Sequence, residues 1–155
     1  MTFDRAERSV LATPGSNPRM IAKALASDAD VIMIDLEDAV APDAKSGARQ
    51  TVATALRDGD WRGRPRTFRI NALDSPWFVH DLVEVLAVAG DVIDLIVMPK
   101  VRTPADVLTV ATILSSLEIE ARRQTPIGVE TQIENAAGLV QCEAIAEASA
   151  RVEAL

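Results

Sequence analysis

The chain has 155 residues, 48% hydrophobic and 25% charged, the proportions of a folded globular domain. A net charge of −7 argues against a nucleic-acid-binding surface. One cysteine (Cys142) excludes an internal disulfide and a thiolate metal cluster, one histidine (His80) excludes a multi-histidine zinc site, and no apolar stretch reaches the length of a membrane span.

Residues 1–7 read as a polar, frayed start without the apolar segment of a signal peptide, so a soluble cytoplasmic protein is expected. Residues 9–12 are a short apolar strand leading into the loop Thr13-Pro14-Gly15-Ser16-Asn17-Pro18. Asn17 has the character of an N-cap and Pro18 that of a first helical residue, which predicts a helix over 19–27. Val31-Ile32-Met33-Ile34 is an unbroken apolar run, the pattern of a strand buried on both faces. It breaks into Asp35, Glu37 and Asp38. A strand without a solvent face places these acids at its C-terminal end, where ligands bind in parallel α/β folds. One acid in such a loop is as readily a helix cap as a site residue; three together favour a site.

A helix is expected over 43–57, with Ala48, Val52, Ala55 and Leu56 on one face. A strand over 66–70 runs into Asn71. Ser75-Pro76 repeats the cap-then-proline form ahead of a helix to residue 89. The fourth strand covers 92–98 and closes on Pro99-Lys100. Thr103-Pro104 starts a helix to residue 123. The fifth strand covers 126–133, a helix covers 138–148, and a sixth strand begins at residue 152. Short links between alternating strands and helices predict a parallel sheet with right-handed crossovers. No Gly-x-Gly-x-x-Gly follows the first strand, so a Rossmann dinucleotide site has little support. Eight such units make a (β/α) barrel of about 250 residues. The reading is a single incomplete barrel domain over 1–155: about five units and the start of strand six.

In a barrel the strand C-termini share one mouth. The Pro14–Asn17 turn offers backbone N–H groups to an anion. Arg69, flanked by Phe68 and Ile70, either pairs with a strand-two acid or holds a substrate carboxylate, with equal weight for both. Glu134 either binds a hard cation such as Mg²⁺ or is a capping or solvated acid. Lys100 reads as a solvated loop cation in preference to a Schiff-base lysine. Cys142 reads as packing filler, His80 as a surface or packing residue, and Trp61 and Trp77 as anchors, with Trp77 near enough to the mouth to line a pocket.

Five ordered motifs carry a resemblance. They are Arg8-Ser9-Val10-Leu11 with Pro14-Gly15-Ser16-Asn17-Pro18; Asp35-Leu36-Glu37-Asp38-Ala39-Val40-Ala41-Pro42; Arg69-Ile70-Asn71; Met98-Pro99-Lys100; and Ile133-Glu134-Asn135-Ala136-Ala137-Gly138-Leu139. With these the sequence resembles the citrate lyase β-subunit-like group of the HpcH/HpaI aldolase superfamily, most nearly its malyl-CoA lyases. The resemblance implies a TIM barrel, α/β in class, of which this chain is the N-terminal portion. It implies an aldol-type carbon–carbon lyase that cleaves a β-hydroxyacyl-CoA, such as L-malyl-CoA or β-methylmalyl-CoA, to an acyl-CoA and glyoxylate. It implies Mg²⁺, with Mn²⁺ as a substitute, and a homo-oligomer, trimer or hexamer, when complete. By motif, Glu134 falls on the first metal carboxylate and Arg69 on the arginine that binds the substrate carboxylate. Asp35, Glu37 and Asp38 fall on the acidic motif that orders the arginine and the metal's waters. Ala12, Thr13, Asn17 and Lys23 fall where the family contacts CoA. The second metal ligand, an aspartate, is expected beyond Leu155, so the 155 residues alone are expected to be inactive. The alternatives are a citryl-CoA lyase, an aldolase of free hydroxy-oxoacids, and a non-catalytic partial barrel that acts through association.

Overall fold

Strand and helix alternate through residues 7–155, the part of the chain described by the computed structural model; of the polar start read at 1–7, all but Glu7 lies outside it. The elements are β1 (Val10–Pro14), α1 (Pro18–Leu25), β2 (Val31–Asp35), a 3₁₀ turn (Pro42–Ala44), α2 (Lys45–Asp58), β3 (Thr67–Arg69), α3 (Phe78–Ala89), β4 (Leu95–Met98), α4 (Pro104–Glu120), β5 (Gly128–Thr131), α5 (Ala136–Val140), α6 (Cys142–Ala146) and β6 (Val152–Ala154). All neighbouring strands pair in parallel, in the order β1-β2-β3-β4-β5-β6. An order that never reverses is that of an unrolled (β/α) barrel and not of a doubly wound sheet, which changes direction at a switch point. Among the described residues the sheet has six strands, and β1 and β6 each have one neighbour.

Every residue of β2 is buried, as an apolar run without alternation requires. Register then divides each strand into two faces. Ile32, Ile34, Phe68, Ile96, Met98 and Val129 pack against the helices in one continuous core. Asp35, Arg69, Val97 and Glu130 are in register on the opposite face, one row from four adjacent strands. The charged pair Asp35 and Arg69 is thus brought together by sheet pairing alone.

Two of the three cap-then-proline starts form as read. Asn17 Oδ1 accepts from the Met20 amide at 3.1 Å with Pro18 opening α1, and Thr103 opens α4 with its amide donating to Asp106 Oδ2 at 3.0 Å. Ser75-Pro76 does not cap. The Ser75 amide donates to the Ala72 carbonyl in a turn, and α3 starts later, at Phe78, with no side-chain cap. The single helix read over 138–148 is two short ones, parted at Gln141, whose ψ of 12° leaves the helical region. β4 begins at Leu95 and not at residue 92, because Val92 and Ile93 turn back on Ala89. At the far side, Arg151 forks onto Glu118 of α4 at 2.6 Å and so ties the start of β6 to the helix layer.

Candidate active site

The C-terminal ends of β2 to β5 deliver one connected group of charges. Asp35, the last residue of β2, is 1% exposed and accepts four hydrogen bonds. Its Oδ1 takes the Glu37 amide at 2.7 Å and Arg69 Nε at 2.8 Å; its Oδ2 takes the Ala39 amide at 2.9 Å and Arg69 Nη2 at 2.7 Å. The carboxylate thus shapes the turn after β2 and holds the guanidinium in a two-pronged grip. Burial pushes the Asp35 pKa up, but the Arg69 fork and the two amides outweigh it, and the carboxyl lies below its ordinary 3.8. Of the two roles left open for Arg69, the ion pair with a strand-two acid is formed. The third nitrogen, Nη1, points elsewhere: to Gln132 Oε1 at 3.1 Å and Glu37 Oε2 at 3.3 Å.

Glu37 is 5% exposed, and burial raises its pKa despite Lys100 and Arg69 beside it. Lys100 Nζ lies 2.8 Å from Glu37 Oε1 and 3.4 Å from Asp38 Oδ1, and the contact with Glu37 raises the lysine's own pKa. Lys100 is thus an exposed loop cation, as expected, and is in addition paired with the acids of the mouth. Its backbone has φ +55°, a left-handed conformation that costs a residue with a side chain energy. In that conformation its amide donates to Glu134 Oε1 at 2.8 Å. Glu134 is exposed and engages only that oxygen. Arg69 and Glu134 are thus joined through Glu37 and Lys100, on the same rim.

Glycine is required at two positions that frame this group. A Cβ on Gly15 would sit 2.8 Å from the Asp35 carbonyl, so the β1–α1 loop closes directly over the end of β2. A Cβ on Gly138 would sit 2.3 Å from the Val101 carbonyl. That contact, with Asn135 Nδ2 donating to the same carbonyl at 3.0 Å, seats α5 on the Lys100–Val101 turn and places Glu134 beside it.

Sequence reasoning missed four supporting residues. Gln132 was passed over inside an apolar strand. Asp81 is fully buried and accepts from Arg49 Nε at 2.9 Å and from the Asn71 amide at 2.8 Å, and Asn71 Nδ2 reaches the Leu36 carbonyl at 3.0 Å. Lys45 Nζ donates to the Leu36 and Glu37 carbonyls, both at 2.8 Å, and lies 4.9 Å from the Trp77 ring centre. A signal existed: Lys45 and Arg49 share the Ala48–Val52–Leu56 face of α2, and Asp81 shares the Phe78–Leu82–Val85 face of α3. A charge on an apolar face needs a buried partner. Beside this network a cleft of about 610 Å³ opens between Asp38, Lys45, Asp74, Trp77 and Lys100.

The residues assigned to CoA by motif are spread along β1 and α1. Ala12 and Lys23 are exposed. The Asn17 oxygen is engaged in capping α1. The Thr13 hydroxyl is buried on the helix side, in register with Ile34, so Thr13 offers the mouth backbone only. His80 is exposed beside Glu84, Trp61 is anchored by Nε1 to the Ala55 carbonyl, and Cys142 is half-buried and not packed in the core. No helix among the described residues is long and apolar enough to cross a membrane. Nor do any three of His, Cys, Asp and Glu among them gather as a ready-made metal cage.

The family model described as HpcH/HpaI aldolase/citrate lyase matches residues 8–155. An L-malyl-CoA/β-methylmalyl-CoA lyase of Cereibacter sphaeroides is 42% identical over 151 residues, 97% of this chain and 48% of that protein. A malyl-CoA/β-methylmalyl-CoA/citramalyl-CoA lyase of Chloroflexus aurantiacus is 37% identical over 83% of this chain and 37% of its own. A (3S)-malyl-CoA thioesterase of C. sphaeroides is 40% identical over 84% of this chain and 45% of its own. The chain thus spans about half the length of the curated relatives it matches or less. Among solved structures, the M. tuberculosis citrate lyase beta subunit complexed with oxaloacetate and magnesium superposes with a TM-score of 0.70 at 30% identity, covering 97% of this chain and 56% of that one.

Proposed function

The chain belongs to the HpcH/HpaI aldolase/citrate lyase family, and on that footing we propose that it carries one half of the active site of a magnesium-dependent CoA-ester lyase. The reaction is a reversible aldol-type cleavage of a β-hydroxyacyl-CoA, malyl-CoA or β-methylmalyl-CoA, to an acyl-CoA and glyoxylate. The observation that supports it is the unbroken line of contacts from Arg69 through Glu37 and Lys100 to Glu134.

The donor set fits the metal. Asp35, Glu37 and Asp38 pair with Arg69 and Lys100, Lys45 lies close behind them, and Glu134 accepts only an amide from this group, so the carboxylates outnumber the cations that pair with them directly. Mg²⁺ takes one or two protein carboxylates and completes its shell with water and substrate oxygens, so a single exposed Glu134 is an adequate contribution from this chain. When bound, the ion supplies Lewis-acid stabilisation of the negative charge that develops on the reacting oxygens. The chain's own residues set the rest. Arg69 is held by Asp35, and its remaining Nη1, shared between Gln132 Oε1 and Glu37 Oε2, is the donor that would orient the carboxylate of the oxoacid. In the cleavage direction the hydroxyl proton leaves and the carbon–carbon bond breaks to give the aldehyde of glyoxylate. The electron pair passes to the thioester enolate, which is reprotonated at carbon.

Glu134→Ala in the complete protein is expected to lower Mg²⁺-dependent malyl-CoA cleavage by about a hundredfold or more. An unchanged rate refutes the reading. Products distinguish the neighbouring chemistry suggested by the thioesterase relative: acyl-CoA with glyoxylate marks a lyase, free CoA with malate a hydrolase. The 155 residues assayed alone are the negative control, because six strands leave the mouth open between β1 and β6.

A further inference from the structure

Lys100 is built into the mouth at a cost. It is one of three non-glycine residues with positive φ among the described residues; the other two, Arg62 and Arg122, are arginines outside the charge cluster. The left-handed backbone puts its amide on Glu134, while its ammonium crosses to Glu37 and Asp38, which follow β2. Among the described residues its backbone and side chain together bridge Glu134 to Glu37 and Asp38. Without the ammonium, the mouth loses one positive charge from between Glu37 and Asp38. That change favours a divalent cation and opposes an anionic oxoacid.

We propose that Lys100 is a positioning residue that sets the charge of this site: its amide aims Glu134, and its ammonium restrains Glu37 and Asp38 so that a metal ion and a 2-oxoacid carboxylate are accepted together. This rests on the lyase reading, in which both ligands occupy the mouth.

Lys100→Gly separates the two functions. Glycine adopts φ +55° without penalty and keeps the amide, so the fold and the Glu134 contact survive while the charge is lost. Lys100→Arg keeps the charge. In the complete protein, calorimetric titration with Mg²⁺ alone, and then with glyoxylate at saturating Mg²⁺, is expected to show opposite effects. Lys100→Gly binds Mg²⁺ as tightly as wild type or more tightly, and binds glyoxylate about fivefold or more weakly, a size suited to one partly screened charge a few ångströms away. Lys100→Arg returns glyoxylate binding to within about threefold of wild type, since the guanidinium restores the charge. Mere damage to the site weakens both ligands together. Parallel changes in the two affinities, no change in either, or failure of Lys100→Arg to restore binding overturns the proposal. If the wild-type protein binds neither ligand, the lyase reading fails and this inference with it.

Discussion

Asp35 concentrates more of the local energetics than any other side chain in the mouth. Its two oxygens satisfy four donors, two of them amides of the turn that carries Glu37 and Asp38. Asp35→Ala orphans those amides and leaves Arg69 with no partner for its fork; the expected loss is about 3–5 kcal/mol in urea denaturation at pH 7. Asp35→Asn keeps the shape and removes the charge, so its deficit is pH-dependent. The Asp35 pKa is depressed on folding, so its contribution is full above the ordinary value of 3.8 and is lost as pH falls through the lower folded value. The gap between wild type and Asp35→Asn is therefore widest near neutrality and narrows below about pH 4. A gap independent of pH would show that the charge contributes nothing. The sequence identified both members of this pair and offered the bond between them as one of two equal roles for Arg69. They are 34 positions apart and meet through strand register, whereas an arginine inside an apolar strand is equally ready to meet a ligand.

Among the elements, β2 was the most legible, since four apolar residues ending in acids admit few other arrangements, and its complete burial follows. The region after β5 was the least. Residues 138–148 have helical composition, yet the backbone breaks at Gln141, because α5 is committed elsewhere by Gly138. That glycine fits under the Val101 carbonyl, and the demand comes from a loop 37 positions away that local pattern does not contain. Gly138→Ala would place a methyl carbon 2.3 Å from that oxygen. Backbone must then move, at a cost of about 1–3 kcal/mol. The displaced helix takes Glu134 off the Lys100 amide. The expected result is a lower melting temperature together with weaker Mg²⁺ binding; a stable variant with unaltered Mg²⁺ affinity would mean that α5 does not set the position of Glu134. Lys45, Arg49 and Asp81 are hard to place for a related reason: each is a charge on an otherwise apolar helix face, and its partner in the buried network that fixes Asn71 and the Leu36 carbonyl lies on another element.

At the scale of the whole molecule, the order of strands was readable from the alternation of patterns, and so was the gathering of their C-terminal ends on one side; the register that pairs particular residues was not. Composition also says nothing of edges. Among the described residues, β1 and β6 of the six-stranded sheet each have one strand neighbour and so one row of backbone N–H and C=O groups without a strand partner. Val10 and Leu11 on β1 are 49% and 39% exposed, an apolar pair beside an unsatisfied ladder. Natural edges are protected by charge, proline or a bulge. β1 places its proline last, at Pro14, and β6 pairs with β5 through an irregular register at Val129 and Glu130. The β1 edge is thus the less protected, and the 155 residues purified alone are expected to self-associate through it. Sedimentation velocity should show an average mass that rises with concentration. Leu11→Lys, which puts a charge on that edge while leaving the mouth untouched, should shift the distribution back toward the monomer. A mass that stays monomeric at every concentration, or one that Leu11→Lys leaves unchanged, would show that the β1 edge is not where chains meet.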